Sequence, residues 1–171
     1  MGRSSVGPAL VVVLIATNAC SDRVHTDGPF GESRDEPHAA WCVPHEDGKT
    51  TITANNGPLP NEGKVPVTIT QVSAVGAQGF KIVDAVLTPQ NGAVNGAEYP
   101  PAPEHAGPSW ERRVPAEEAT IDPGETWWLI VGLRAEADHA EIERVQVTYR
   151  DDAGSNYRFL TGSSYSYLPD C

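Results

Sequence analysis

Glu125-Thr126-Trp127-Trp128-Leu129-Ile130-Val131-Gly132-Leu133 stands directly behind Asp122-Pro123-Gly124. Asp-Pro-Gly is turn chemistry: proline presets φ at one corner and glycine accepts the next. The run after it is β-branched and aromatic and reads as a strand. With a two-residue period, Trp127, Leu129, Val131 and Leu133 share one face, and Trp128 and Ile130 share the other. Only one of the two indoles can enter a single core. The other is free to cap an edge, touch a loop, or stack on a ligand such as a sugar.

Similar short runs lie on both sides. Residues 50–53 form a first strand, which Asn55-Asn56-Gly57-Pro58 should break. Residues 65–75 alternate, then slip phase at Gln71-Val72, which predicts a bulge. Residues 80–87 follow a turn at 76–79. Residues 112–114 read as a short edge strand. In 141–150, Val145, Val147 and Tyr149 oppose Arg144, Gln146 and Thr148. A hairpin loop at 151–156 leads into 157–161, and 165–168 is the last strand. Residues 89–110 form a long loop rich in Gly, Pro and Ala, ending near Trp110, and 135–143 carries the one weak helical pattern. Seven or eight short strands, with 16 Gly and 15 Pro between and around them, predict an all-β, antiparallel sandwich or small barrel.

The stretch 66–89, together with Pro123-Gly124-Glu125 and the Trp127–Leu133 run, resembles the immunoglobulin-like domains of small actinobacterial lipoproteins. The resemblance covers 42–171 and implies an immunoglobulin-like antiparallel β-sandwich of about seven strands. That group brings no assigned activity, so the resemblance implies fold and location alone.

The N-terminus reads as an address. Arg3 precedes eight unbroken apolar residues, Ala9 to Ala16, and a small residue, Ala19, ends the segment. This is the pattern of a secretory signal over residues 1–19, too short to span a bilayer, which takes about 20 apolar residues. Cys20 follows at once and resembles the acylated cysteine of the bacterial lipoprotein signal. The resemblance implies a diacylglyceryl group on Cys20 and an extracytoplasmic, membrane-held protein. Thr17-Asn18-Ala19 also suits ordinary signal peptidase, which leaves simple secretion as the alternative. Residues 20–41 are polar and broken by Gly and Pro, so they read as a lipid-anchored flexible linker, a coil spanning roughly 25 Å. The domain is expected to begin at Cys42.

With Cys20 acylated, Cys42 and Cys171 remain, and an oxidising compartment favours a disulfide between them. It would tie the two ends of the domain together.

The formal net charge is −11, and no cluster of Lys or Arg offsets it. Nucleic acid is thereby excluded as a partner, because that binding rests on cations neutralising phosphates. No cofactor motif is present, and no metal site is expected. His25, His38, His45, His105 and His139 have no ligand spacing, although His45-Glu46-Asp47 is dense in donors. Asp151-Asp152-Ala153-Gly154-Ser155-Asn156 has calcium-like oxygens but also the residues a hairpin loop needs. Ser163 and Ser164 lack the Gly-x-Ser-x-Gly context, and no catalytic residue is assigned. Trp110 and Trp128 are the candidate ligand contacts, with Tyr99 as a further exposed aromatic. The expected function is a non-enzymatic binding or structural domain facing an envelope protein or glycan. A secreted metal-binding or hydrolytic domain with a site built from loops is the competing class.

Overall fold

The computed structural model describes residues 24–33, 36–44, 48, 50–96 and 98–171. Cys20 and the group His45, Glu46 and Asp47 lie outside them. Among the described residues the chain is almost wholly β. In chain order the strands are β1 (Val24–His25), β2 (Asp27–Gly28), β3 (Gly31–Glu32), β4 (Ala39–Pro44), β5 (Thr51–Pro60), β6 (Val67–Val75) and β7 (Phe80–Thr88). They continue with β8 (Val114–Pro115), β9 (Thr120–Ile121), β10 (Thr126–Ala135), β11 (Ala140–Ile142), β12 (Arg144–Asp151), β13 (Asn156–Leu160) and β14 (Ser163–Leu168).

Two larger sheets face each other. One has the order β1-β13-β12-β6-β9, the other β5-β10-β7-β8, and a smaller sheet β11-β14-β4 adjoins them. The main core takes its residues from both large sheets: Ile52, Leu59, Leu87, Leu129, Val131 and Leu133 from one, Val67, Ile69, Val145, Val147 and Tyr149 from the other. Each set follows the two-residue period, so burying one face of each sheet dictates the sandwich. No sheet closes on itself, so the barrel alternative falls away.

The phase slip in β6 is a bulge. Thr148 pairs with Gln71 and Tyr149 with Ile69, so Thr70 has no partner of its own. That extra residue lets both Ile69 and Val72 face the core. A second bulge corrects the sequence reading of Asn55-Asn56-Gly57-Pro58, which does not end a strand. β5 runs through it: Ile130 pairs with Asn55 and Trp128 with Pro58, leaving Asn56 and Gly57 opposite Leu129. Gly57 takes φ +82°, the left-handed conformation such a bulge requires. The helical pattern at 135–143 is also overridden. Ala140–Ile142 is β11, paired with β14, and the described helix is a single 3₁₀ turn at Trp110–Arg112.

The largest correction concerns residues 24–33 and 36–41, which are not a free linker. β1 pairs in parallel with β13 (Val24 with Asn156), and β4 pairs in parallel with β14. Phe30 is 3% exposed and stacks on Tyr149 at 4.0 Å, and its N–H donates to the Tyr149 hydroxyl at 3.2 Å. The polar composition around Phe30 concealed it, because one aromatic in the right pocket offsets the ordering of several polar neighbours. The Cys42–Cys171 disulfide is present, with Cα atoms 5.8 Å apart and a sequence separation of 129.

Two outcomes follow. Phe30→Ala should lower unfolding free energy by about 3 kcal/mol in urea titration, the range for an emptied aromatic core site; a free linker would give no change. Reducing Cys42–Cys171 should lower the urea midpoint by an amount equivalent to at most about 5 kcal/mol, the loop-closure value for so long a loop.

Candidate functional site

Strand β10 is buried on both faces from Leu129 to Leu133. Its inner face enters the main core. Its outer face is roofed by the loop between β7 and β8, where Val86, Ala93, Trp110 and Ile130 form a second apolar cluster. Tyr99 packs edge-on to Trp110, with centroids 6.1 Å apart, and its hydroxyl donates to Asp84 at 2.7 Å. Its ring lies so close to Gly132 that a Cβ there would come within 2.5 Å of Tyr99 Cδ1, which explains a glycine in mid-strand. The Arg113 guanidinium sits 4.6 Å from the Trp110 centroid. Trp110 is only 6% exposed. It is therefore a core residue, and its assignment as a ligand contact is corrected.

The roof stops short of Trp128. There a cleft of about 570 Å³ opens. Its floor is the bulged segment of β5 (Asn55 to Pro58), with Trp128 of β10 beside it. The roofing loop supplies Asn91, Val94 and Asn95 to one wall, while His38, Ala39, Trp41, Phe159, Gly162 and Ser163 form the other. Trp41 is 44% exposed. The His38 ring fills the space that a Gly162 side chain would take. Because Trp41 immediately precedes Cys42, the disulfide fixes the backbone that carries this indole.

The floor is held by a dense polar network. Asn55 N–H donates to Asn95 Oδ1 at 2.6 Å, and Asn55 Nδ2 donates to Asn91 Oδ1 and to the Ala93 carbonyl, both at 2.7 Å. Asn55 Oδ1 accepts the Gly57 N–H, and the Asn55 carbonyl accepts the Tyr165 hydroxyl at 2.7 Å. Asn56 is buried: its Nδ2 donates to the Ala54 carbonyl and its Oδ1 accepts from Thr161. With Asn91 and Asn95 offering their oxygens to Asn55, their amide nitrogens have no partner among the described residues. Burial pushes the Tyr165 phenol upward, so it stays a donor to Asn55 at neutral pH.

Catalytic and metal arrangements can be compared with this geometry. Ser163 and His38 line the same cleft, but among the described residues no hydrogen bond joins them and no carboxylate lines the cleft. Among the described residues no three His, Cys, Asp or Glu side chains group as metal ligands. The Asp151 carboxylate is taken up by its own turn, accepting from Ser155 N–H at 2.8 Å and the Tyr157 hydroxyl at 3.0 Å. Slight burial pushes Asp151 up, but those bonds outweigh it and hold the carboxyl below its ordinary value.

Of the residues singled out in the sequence, Trp128 lies in the cleft. Trp41, His38 and the four asparagines were missed. Trp41 and His38 fell in the supposed linker, Asn55 and Asn56 read as a strand break, and Asn91 and Asn95 fell in the long loop. The position of Trp41 next to a disulfide cysteine was the available signal.

No protein-family model matches the chain, and no curated protein matches it. Among solved structures, the ASH / PapD-like domain of human CEP192 (PapD-like domain 7) aligns over 94% of this chain and 96% of its own, with a TM-score of 0.39 and 8% identity.

Buried phenols set the alkaline behaviour. Burial, partly opposed by the Phe30 N–H, pushes Tyr149 up to about 12, and Tyr165 is raised as well. Above pH about 10 the unfolded chain releases these protons while the folded chain keeps them, so stability falls as pH rises. Each tyrosine should contribute a loss of about 1.4 kcal/mol per pH unit above pH 10, measured from urea midpoints, and Tyr165→Phe should reduce that slope.

Proposed function

We propose that this is an exported envelope lipoprotein, held to the outer face of a membrane by lipid on Cys20, whose sandwich is a non-enzymatic binding domain working through the Trp41–Trp128 cleft. The observation that carries the binding reading is the lining of the cleft: two indoles, a set of fixed amides and one imidazole, with no Asp, Glu, Lys or Arg among the described residues that line it. Such a surface desolvates and orients a ligand, while its one imidazole, His38, has no hydrogen bond to Ser163 among the described residues that would pair the two as base and nucleophile.

The anchor reading rests on the leading segment, and the docking of Val24 on β13 changes its consequence. Only three residues separate Cys20 from Val24, four steps of chain with a reach of at most about 14 Å. The domain would therefore stand on the membrane at its β1/β13 edge instead of swinging on a long tether.

Two measurements test this. Mass spectrometry of the mature protein should show an N-terminal Cys20 carrying a diacylglyceryl group, and Cys20→Ser should move the protein from the membrane fraction to the soluble one. An unmodified Cys20 would leave simple secretion. Separately, the full-length Cys20→Ser chain should cosediment with envelope fragments of the producing organism. Adding Trp41→Ala and Trp128→Ala should abolish this while circular dichroism stays unchanged; equal sedimentation would remove the cleft from the binding account.

A further inference from the structure

We infer that the ligand of the cleft is an uncharged saccharide chain, an assignment that rests on reading the cleft as the binding site. Four observations converge on it.

The first is charge. The chain carries 23 acidic and 12 basic residues, yet among the described residues none of the side chains lining the cleft is Asp, Glu, Lys or Arg, and His38 is the one titratable group there. A phosphate, carboxylate or ammonium group entering it would lose water without meeting a counter-charge, which is costly. The cleft therefore selects against nucleotides, charged peptides and lipid headgroups.

The second is the pairing of surfaces. Trp41 and Trp128 bring large aromatic faces, which carry negative quadrupole density and attract the weakly positive C–H groups of a ligand. A pyranose ring presents a flat set of such C–H groups and ringed hydroxyls at its edge.

The third is donor supply. The amide nitrogens of Asn91 and Asn95 stay unpaired among the described residues because their oxygens are committed to Asn55. Each is fixed in place by that commitment. Sugar hydroxyls accept from such donors and can donate onward in turn.

The fourth concerns the main peptide alternative, addition of a strand to the edge of β5. That edge is occupied. Thr53 N–H donates to the Gly96 carbonyl at 2.9 Å, Gly96 N–H returns to the Thr53 carbonyl at 3.1 Å, and Asn55 N–H is bound by Asn95. Pro58 has no N–H to offer. An incoming peptide would find little main chain to pair with along β5, whereas a saccharide needs none; the outer edge of β4, which also borders the cleft, is the place where the decapeptide probe below would pair. A volume of about 570 Å³ falls within the range of small-ligand sites and leaves room for a short oligosaccharide.

The test uses the full-length Cys20→Ser chain with its disulfide intact. The probes are neutral hexasaccharides of glucose (β-1,4 and α-1,4), mannose and N-acetylglucosamine, an oligogalacturonate as the anionic control, and an uncharged Val/Thr decapeptide. At about 10 mM even a millimolar dissociation constant fills the site. At least one neutral hexasaccharide should shift the NMR resonances of the Trp41 and Trp128 indole N–H and the Asn91 and Asn95 side-chain amides. Trp128→Ala should weaken that binding by roughly tenfold or more with an unchanged melting temperature, and exposed Trp41, replaced by Ala, serves as the second variant. No response to any neutral saccharide, tighter binding of the oligogalacturonate, or binding of the decapeptide at these residues would each overturn the assignment. Envelope sedimentation that depends on the two tryptophans, without any saccharide response, would refute the saccharide and leave the binding reading standing. Loss of both would refute both.

Discussion

The seam where β4 lies parallel to β14 is the constraint on which the rest of the site depends. Ser163 to Leu168 runs beside Ala39 to Pro44 in continuous register, and the Cys42–Cys171 bond closes that seam. Parallel pairing cannot be made by a short hairpin, so these strands come from opposite ends of the chain. An end-to-end pairing is entropically expensive in an unlinked chain, and a covalent bond removes much of that cost from the unfolded side. The seam sets His38 and Trp41 against Gly162 and Ser163 and brings the Tyr165 hydroxyl to the Asn55 carbonyl. Without it, the cleft would lose a wall and a floor contact together.

The second determinant is the double burial of β10. A strand apolar on both faces needs cover on both, and the β7–β8 loop supplies the second cover through Trp110, Ala93 and Tyr99. This accounts for a loop of that length in a compact domain, where long structureless connections are uncommon. The roof ends before Trp128, and at its rim the loop asparagines fasten to the bulged edge of β5. The cleft is the uncovered remainder of a face that is otherwise core, which explains why the apolar Trp128 lies beside an ordered polar floor.

Most of the fold was legible in the sequence because period-two alternation and turn residues are local signals. The strands at 65–75, 80–87, 125–133 and 141–150 were all readable, as was the bulge in β6, which shows as two successive polar positions, Thr70 and Gln71. Three features were not readable, each for a non-local reason. Asn55-Asn56-Gly57-Pro58 carries breaker residues but is kept in a strand by pairing with β10 and by hydrogen bonds from the distant loop. Ala140–Ile142 is too short to show a period and takes its state from β14. Residues 24–33 and 36–41 lack apolar repetition, yet Phe30 and two parallel pairings anchor them to strands more than a hundred residues away. The site was harder still: only Trp128 announced itself, since a cleft assembled from five separate segments leaves no contiguous motif.

Charge separates what this surface can do from what the molecule as a whole does. A net charge of −11 keeps the chain soluble and repels polyanions at long range, but salt screens such a field beyond about 8 Å. Specificity at the cleft must then come from short-range terms. Those on hand are aromatic faces, amides fixed by Asn55, and an imidazole lodged against Gly162. Flexible surface amides would lose rotamer freedom on binding, whereas these have already lost it in folding. The same hydrogen bonds that carry β5 through its bulge therefore also fix the amides of the proposed binding cleft, which ties the stability of the edge strand to the order of that surface.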